Sequence, residues 1–194
     1  MINMARYDPN ERYRYLQQLI TEFQTTNSVD SKEQVLANLA NFAYDPINYE
    51  HFKKLKITEL FLCHLEDANE TIQEFAAGAI CNLAADLCYF LFPDRSFLSE
   101  LVGLGGVPKL INCLASSREE TVLSAITVFI FLASGGFGED VTSQTIVDGM
   151  LKYADSSNRR LSNLAKVFLE DACGEDKVNR VKSMASGTLC PDAT

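Results

Sequence analysis

The sequence predicts an all-α chain, a right-handed α-solenoid of about four three-helix units. Three observations lead there. Apolar residues recur with a period near 3.6 from Leu16 to Cys173. The pattern itself returns at intervals of roughly 40 residues. Glycine and proline collect between the repeating pieces.

Each unit carries two strong apolar stripes. The shorter helix has Leu16, Leu19, Ile20 and Phe23 in the first unit, then Ile57, Leu60, Phe61 and Leu65, then Val107, Leu110, Ile111 and Leu114, then Val147, Met150, Leu151 and Ala154. The longer helix that follows has Val35, Leu39 and Phe42, then Ile72, Ala76, Ile80 and Leu83, then Val122, Ala125, Phe129 and Leu132, then Leu161, Ala165, Leu169 and Ala172. Leu19 to Leu60 spans 41 residues, Leu60 to Leu110 spans 50 and Leu110 to Met150 spans 40. Leu39 to Ile80 spans 41, Ile80 to Phe129 spans 49 and Phe129 to Leu169 spans 40. Because two independent markers shift together, the repeat is structural.

The connections agree with this phase. Segments 51–56 and 96–102 are short and weakly apolar, which suits a small extra helix ahead of each pair. Ser31 ahead of Gln34, and Ser117 with Glu120, are expected as helix caps. Asp45 and Pro46 close the long helix of the first unit, and Gly105-Gly106-Val107-Pro108 opens a helix of the third, where proline is tolerated in a first turn. The expected divisions are an N-terminal arm over 1–12, an array over 13–176 with units at 13–48, 49–92, 93–136 and 137–176, and a partly disordered tail over 177–194.

Charge narrows the function. With 26 acidic and 17 basic residues the net charge is −9, whereas gripping a phosphate backbone needs a concentrated basic face. Lys53, Lys54 and Lys56, and the pair Arg159 and Arg160, are short runs of the kind found on solvated helix faces. The six cysteines include no C-x-x-C pair, and most fall in apolar helical patterns, so a reducing intracellular setting is expected. No secretory signal is visible at the N-terminus. The apolar stretches at 83–92 and 125–133 are interrupted or too short to cross a bilayer, and a soluble protein is expected.

Catalytic chemistry finds no foothold. The two histidines, His51 and His64, sit in helical segments outside any recognisable motif, and no second cluster joins His64 and Cys63 to complete a zinc site. Glu170 and Asp171 are adjacent on a helix and point in different directions. The glycine clusters at 103–106 and 135–138 lack the lysine and hydroxyl residue of a phosphate loop and read as turns. No aromatic ladder set in basic residues is present. The expectation is a non-enzymatic chain with no cofactor, no metal and no small-molecule substrate.

The entry Gly105-Gly106-Val107-Pro108-Lys109-Leu110-Ile111-Asn112-Cys113-Leu114 and the run Ala76-Ala77-Gly78-Ala79-Ile80-Cys81-Asn82-Leu83-Ala84 resemble the armadillo repeat family. Between about Leu16 and Cys173 the chain is similar to a small eukaryotic branch of that family, most specifically at Lys32 to Pro46, at Glu120 to Thr127 and from Asn163 to Asp171. The run from Ala84 to Phe92 is longer than the family pattern.

The resemblance implies an armadillo-type right-handed superhelix whose long helices line a groove, where a family asparagine pairs with an extended partner's backbone. The matching positions here carry Asn41, Asn82, Phe131 and Asp171. One turn earlier, where import receptors of this fold carry tryptophan, stand Ala37, Gly78, Thr127 and Val167, so the slots for lysine stems are missing. Glu33 and Glu74 on the same face imply an acidic cast that favours a basic protein segment. The branch further implies a nuclear minor-spliceosome component, present also in the cytoplasm. Its protein partner would be an RNA-recognition-motif protein, RNA-binding motif protein 48, and its contact with RNA mainly indirect. The alternative is a general cytoplasmic scaffold for extended peptide segments.

Overall fold

The computed structural model describes residues 9–89 and 96–173, with side chains over 11–85 and 96–173. Helices α1 (Pro9–Thr25) and α2 (Val29–Phe42) make the first unit. A 3-10 turn (Pro46–Asn48) leads into α3 (Tyr49–Leu55), α4 (Ile57–His64) and α5 (Glu70–Tyr89). The third unit is α6 (Ser96–Gly103), α7 (Gly106–Cys113) and α8 (Glu119–Leu132). A π-turn (Ala133–Phe137) and α9 (Gly138–Val141) precede α10 (Gln144–Ala154) and α11 (Arg159–Phe168), which runs on into a second π-turn (Leu169–Cys173). No strand occurs among the described residues. Helix α1 begins inside the stretch read as an arm. Residues 1–8, most of the run from Ala84 to Phe92, the tail over 177–194 and the thiols of Cys88 and Cys190 lie outside the described residues or side chains.

The long helices α2, α5, α8 and α11 lie side by side in one layer, α5 against α2 and α8, and α8 against α11. Their packing rows are those the spacing predicts. Val35, Ala76, Ala125 and Ala165 hold one equivalent position and are all buried, the three alanines completely. A small side chain there lets neighbouring helices approach closely. The next row, Leu39, Ile80, Phe129 and Leu169, is also buried, and Phe129 meets Phe168 of α11 edge-on with ring centroids 6.4 Å apart. At the outer ends, α1 exposes Gln17, Gln18 and Glu22, and α11 exposes Arg159, Arg160, Asn163 and Lys166, the polar surfaces that terminate a stack of repeats.

Local signals explain most boundaries and correct two of them. Ser28, not Ser31, caps α2, accepting from the Ser31 amide at 3.3 Å. Ser117 does not cap α8; its hydroxyl donates to Glu70 at 2.6 Å, and Arg118 takes the cap position with no side-chain hydrogen bond to the helix. Asp45 caps the 3-10 turn by accepting from the Ile47 amide. At the start of α7, Gly105 has φ 74°, and a Cβ on Gly106 would stand 2.7 Å from the Leu101 carbonyl oxygen, so only glycine fits. The stretch Glu119–Val141 forms a helical run of 23 residues, long and apolar enough to cross a membrane and longer than the sequence suggested. Half of it is buried between its neighbours, as in the core helix of a globular stack, and Gly136 breaks it with φ 94°.

A second set of contacts ties the units together outside the core. The residue just before each long helix reaches back to a glutamate of the preceding unit. Asn69 donates to Glu33 at 2.8 Å, Arg118 to Glu74 at 3.1 Å and Asn158 to Glu119 at 2.7 Å. Asn69 and Asn158 use their other amide atom to cap α5 and α11. Arg118 also donates to Thr71, and Arg160 pairs with Glu120. On another side of the second and third units, Lys109 and then Asn112 bind Glu66 and hold its carboxyl below the usual range.

The cysteines divide by burial. Cys63 is exposed, whereas burial pushes the Cys81 thiol up to about 11, against an opposing hydrogen bond from Thr127. Cys113 is pushed up to about 12 by burial and then by the Glu66 charge. Since the thiolate is the reactive form, iodoacetamide near neutral pH is expected to alkylate Cys63 well before Cys81 and Cys113 in the folded chain. Mass mapping checks this, and equal labelling of all three would contradict the packing described.

Candidate partner-binding face

The resemblance implies a groove lined by the long helices, which here is the exposed face of α2, α5, α8 and α11. On α2, residues Gln34, Asn38 and Asn41 follow the i, i+4, i+7 spacing of one helix face. Gln34 donates to Asn38 at 3.2 Å. Asn41 is exposed, and among the described residues its side-chain amide has no hydrogen-bond partner. It therefore presents both a donor and an acceptor to solvent.

Asn82 is placed differently from the expectation. It is half-buried, and its Nδ2 donates to the Ala40 carbonyl at 3.0 Å, across the seam between α5 and α2. The bond sets the Asn82 amide beside the backbone next to Asn41 and leaves its Oδ1 as an acceptor. These two asparagines are the expected site residues that the fold brings together.

The two glutamates serve the seams. Glu74 pairs with Arg118, whereas Glu33 accepts from the neutral Asn69 amide. The acidic cast expected from both is thus carried on this face by Glu33. Phe131 is half-buried and packs on the core at the far end of α8, and Asp171 is exposed on the π-turn after α11. Leu164 and Val167 of α11 lie on the same layer, Val167 being 41% exposed. The face therefore changes along the array, gaining the apolar Phe131, Leu164 and Val167 at the last two units. Gln34 and Asn38 escaped the sequence reading, which sought one asparagine per unit, although their helical spacing marks them.

The histidines stand apart from this face. His64 contacts Asp67 through Nδ1 at 3.0 Å and packs edge-on against Phe23, while His51 lies beside Tyr13. No group of three or more metal-ligating side chains occurs among the described residues.

No family model matches the chain. Armadillo repeat-containing protein 7 of Mus musculus is 45% identical over 186 residues, covering 94% of this chain and 90% of its own. The chain belongs to the armadillo repeat-containing protein 7 family. Solved structures agree on the fold. A designed armadillo repeat protein superposes with a TM-score of 0.68 at 17% identity, over 94% of this chain and 81% of that one. Computationally designed armadillo repeat proteins for modular peptide recognition give 0.62 at 19% identity, over 94% and 75%. A designed armadillo protein in complex with the peptide (KR)4 gives 0.64 at 18% identity, over 95% and 80%. Within the armadillo repeat-containing protein 7 family, then, the chain is an armadillo solenoid.

Proposed function

We propose that the chain is a non-enzymatic adaptor of the minor spliceosome, acting in the nucleus by holding an RNA-recognition-motif protein, RNA-binding motif protein 48, on its long-helix face. The observation that carries the adaptor reading is the unpartnered Asn41 amide beside Asn82, which together offer a donor and acceptors where an extended segment would lie across α2 and α5. Glu33 draws basic residues of that segment, and Phe131 and Asp171 meet its far end. The net charge of −9 supports leaving RNA to the partner, so that this chain touches RNA mainly indirectly. Peptide recognition by designed proteins of the same fold supports a protein ligand, and the splicing assignment rests on the family resemblance, which extends over 94% of the chain.

Asn41→Ala combined with Asn82→Ala is expected to weaken partner binding by roughly tenfold to a hundredfold, each lost hydrogen bond being worth about 1 kcal/mol. The single variants separate binding from folding. Asn41→Ala should leave the melting temperature unchanged, whereas Asn82→Ala, which loses the bond to Ala40, should lower stability by about 1 kcal/mol. Calorimetry against the purified partner and pull-down from nuclear extract measure both halves. Undiminished affinity in the double variant would move the interface off this face. Recovery of cytosolic clients alone, without minor-class small nuclear RNAs, would favour a general cytoplasmic scaffold.

A further inference from the structure

The longest repeat spacing, 49 to 50 residues between units two and three, coincides with an opening in the stack. There α3 and α6, the short leading helices of the two units, leave a cleft of about 180 Å3 whose apolar lining includes Ile57, Leu83 and Phe97. That volume is below the roughly 300–1,000 Å3 of small-molecule sites, and it accommodates a single large side chain. Glu50, Glu100 and Lys53 also line it. The carboxylates Glu66, Glu70, Glu74 and Glu120 at the unit seams all have cationic partners, but among the described residues Glu50 and Glu100 have none. Pro46 extends the lining to the loop where Tyr44 is 73% and Ile47 49% exposed, the largest exposed apolar side chains near the cleft. Among the described residues this is an apolar hole with two unpaired carboxylates against one lysine, beside an exposed apolar strip, and it is complementary to a chain segment that is apolar at its centre and basic at its flanks.

We propose that this cleft seats one bulky apolar side chain of a protein partner, flanked by arginine or lysine residues that meet Glu50 and Glu100. It is a docking point separate from the asparagine face. Leu83 lies on the same helix as Asn82, but the rest of the cleft is built by α3, the start of α4, α6 and the Pro46 turn, none of which contributes to that face.

The test is an NMR titration of the full-length 15N-labelled chain with three synthetic peptides: Arg-Arg-Leu-Phe-Arg-Arg, its Glu-Glu-Leu-Phe-Glu-Glu counterpart and the apolar-deleted Arg-Arg-Gly-Gly-Arg-Arg. The first should give saturable shifts at the amides of Thr58, Phe97 and Glu100 at millimolar peptide, and the other two should bind at least about fivefold more weakly. E50K combined with E100K, both outside the apolar core, should weaken the first peptide by about fivefold or more, and K53E should tighten it about twofold. The Asn41→Ala and Asn82→Ala changes should leave this binding as it was, so that failure here and failure of the long-helix face are read separately. The proposal is overturned if shifts at the cleft are absent or non-saturable, if they fall on α2, α8 and α11 instead, if the acidic peptide or the glycine peptide binds as well as the first, or if neither charge variant changes the affinity.

Discussion

Phe129→Ala is expected to lower unfolding stability by about 3–5 kcal/mol, the largest effect of any substitution considered for this chain. The side chain is fully buried in α8 and packs edge-on against Phe168 of α11, so truncation removes a large apolar surface from both sides of the third-to-fourth-unit seam. The hole left behind has little means of closing, because the helices around it are also held by their own rows of contacts. Urea denaturation measures the loss. In a solenoid, stability is approximately a sum of unit and neighbour terms, so hydrogen exchange should lose most protection in α8 and α11 and least in α1 and α2. A loss under about 1 kcal/mol, or protection lost evenly along the chain, would contradict this packing.

Ala125→Leu acts in the opposite sense, by adding volume where there is none to spare. Ala125 stands with Ala76 and Ala165 in a row that is completely buried. α8 is packed by α5 on one flank and α11 on the other. Inserting a branched four-carbon side chain should cost about 1–3 kcal/mol or more, with helicity by circular dichroism preserved while the melting temperature falls. The same substitution at Ala37, which is half-exposed on α2, is the comparison; equal effects at the two sites would mean that the alanine row does not mark the helix crossings.

Those rows were legible because a residue that recurs at each unit and never turns polar has a buried reason to do so. Val35, Ala76, Ala125 and Ala165 could be aligned from spacing alone, and so could the four long helices. The caps were not, since Ser28 and Ser31 both precede a helical pattern and only backbone geometry separates them. Ser117 looked like a cap because its true partner, Glu70, lies in the preceding unit. The asparagine face was legible as a set of positions but not as a set of free groups. Sequence places Asn41 and Asn82 alike, while the approach of α5 to α2 gives the Asn82 amide to Ala40 and leaves Asn41 open. The cleft beside Glu50 and Glu100 was beyond reach because α3 and α6, which frame it, are short helices whose sequence does not fix how they sit against each other.

The contacts that reach back from Asn69, Arg118 and Asn158 bear on how the array holds its curvature in different media. All three occupy one position, yet the first seam is fastened by a neutral amide, the second by a guanidinium on Glu70 and Glu74, and the third by an amide with the Arg160–Glu120 pair beside it. Mobile ions weaken the attraction between exposed opposite charges and hardly touch an amide donor. Rising ionic strength should therefore loosen the pitch at the two C-terminal joints while the N-terminal joint, which positions Asn41 against Asn82, keeps its setting. The solenoid is in this respect stiff at one end and adjustable at the other.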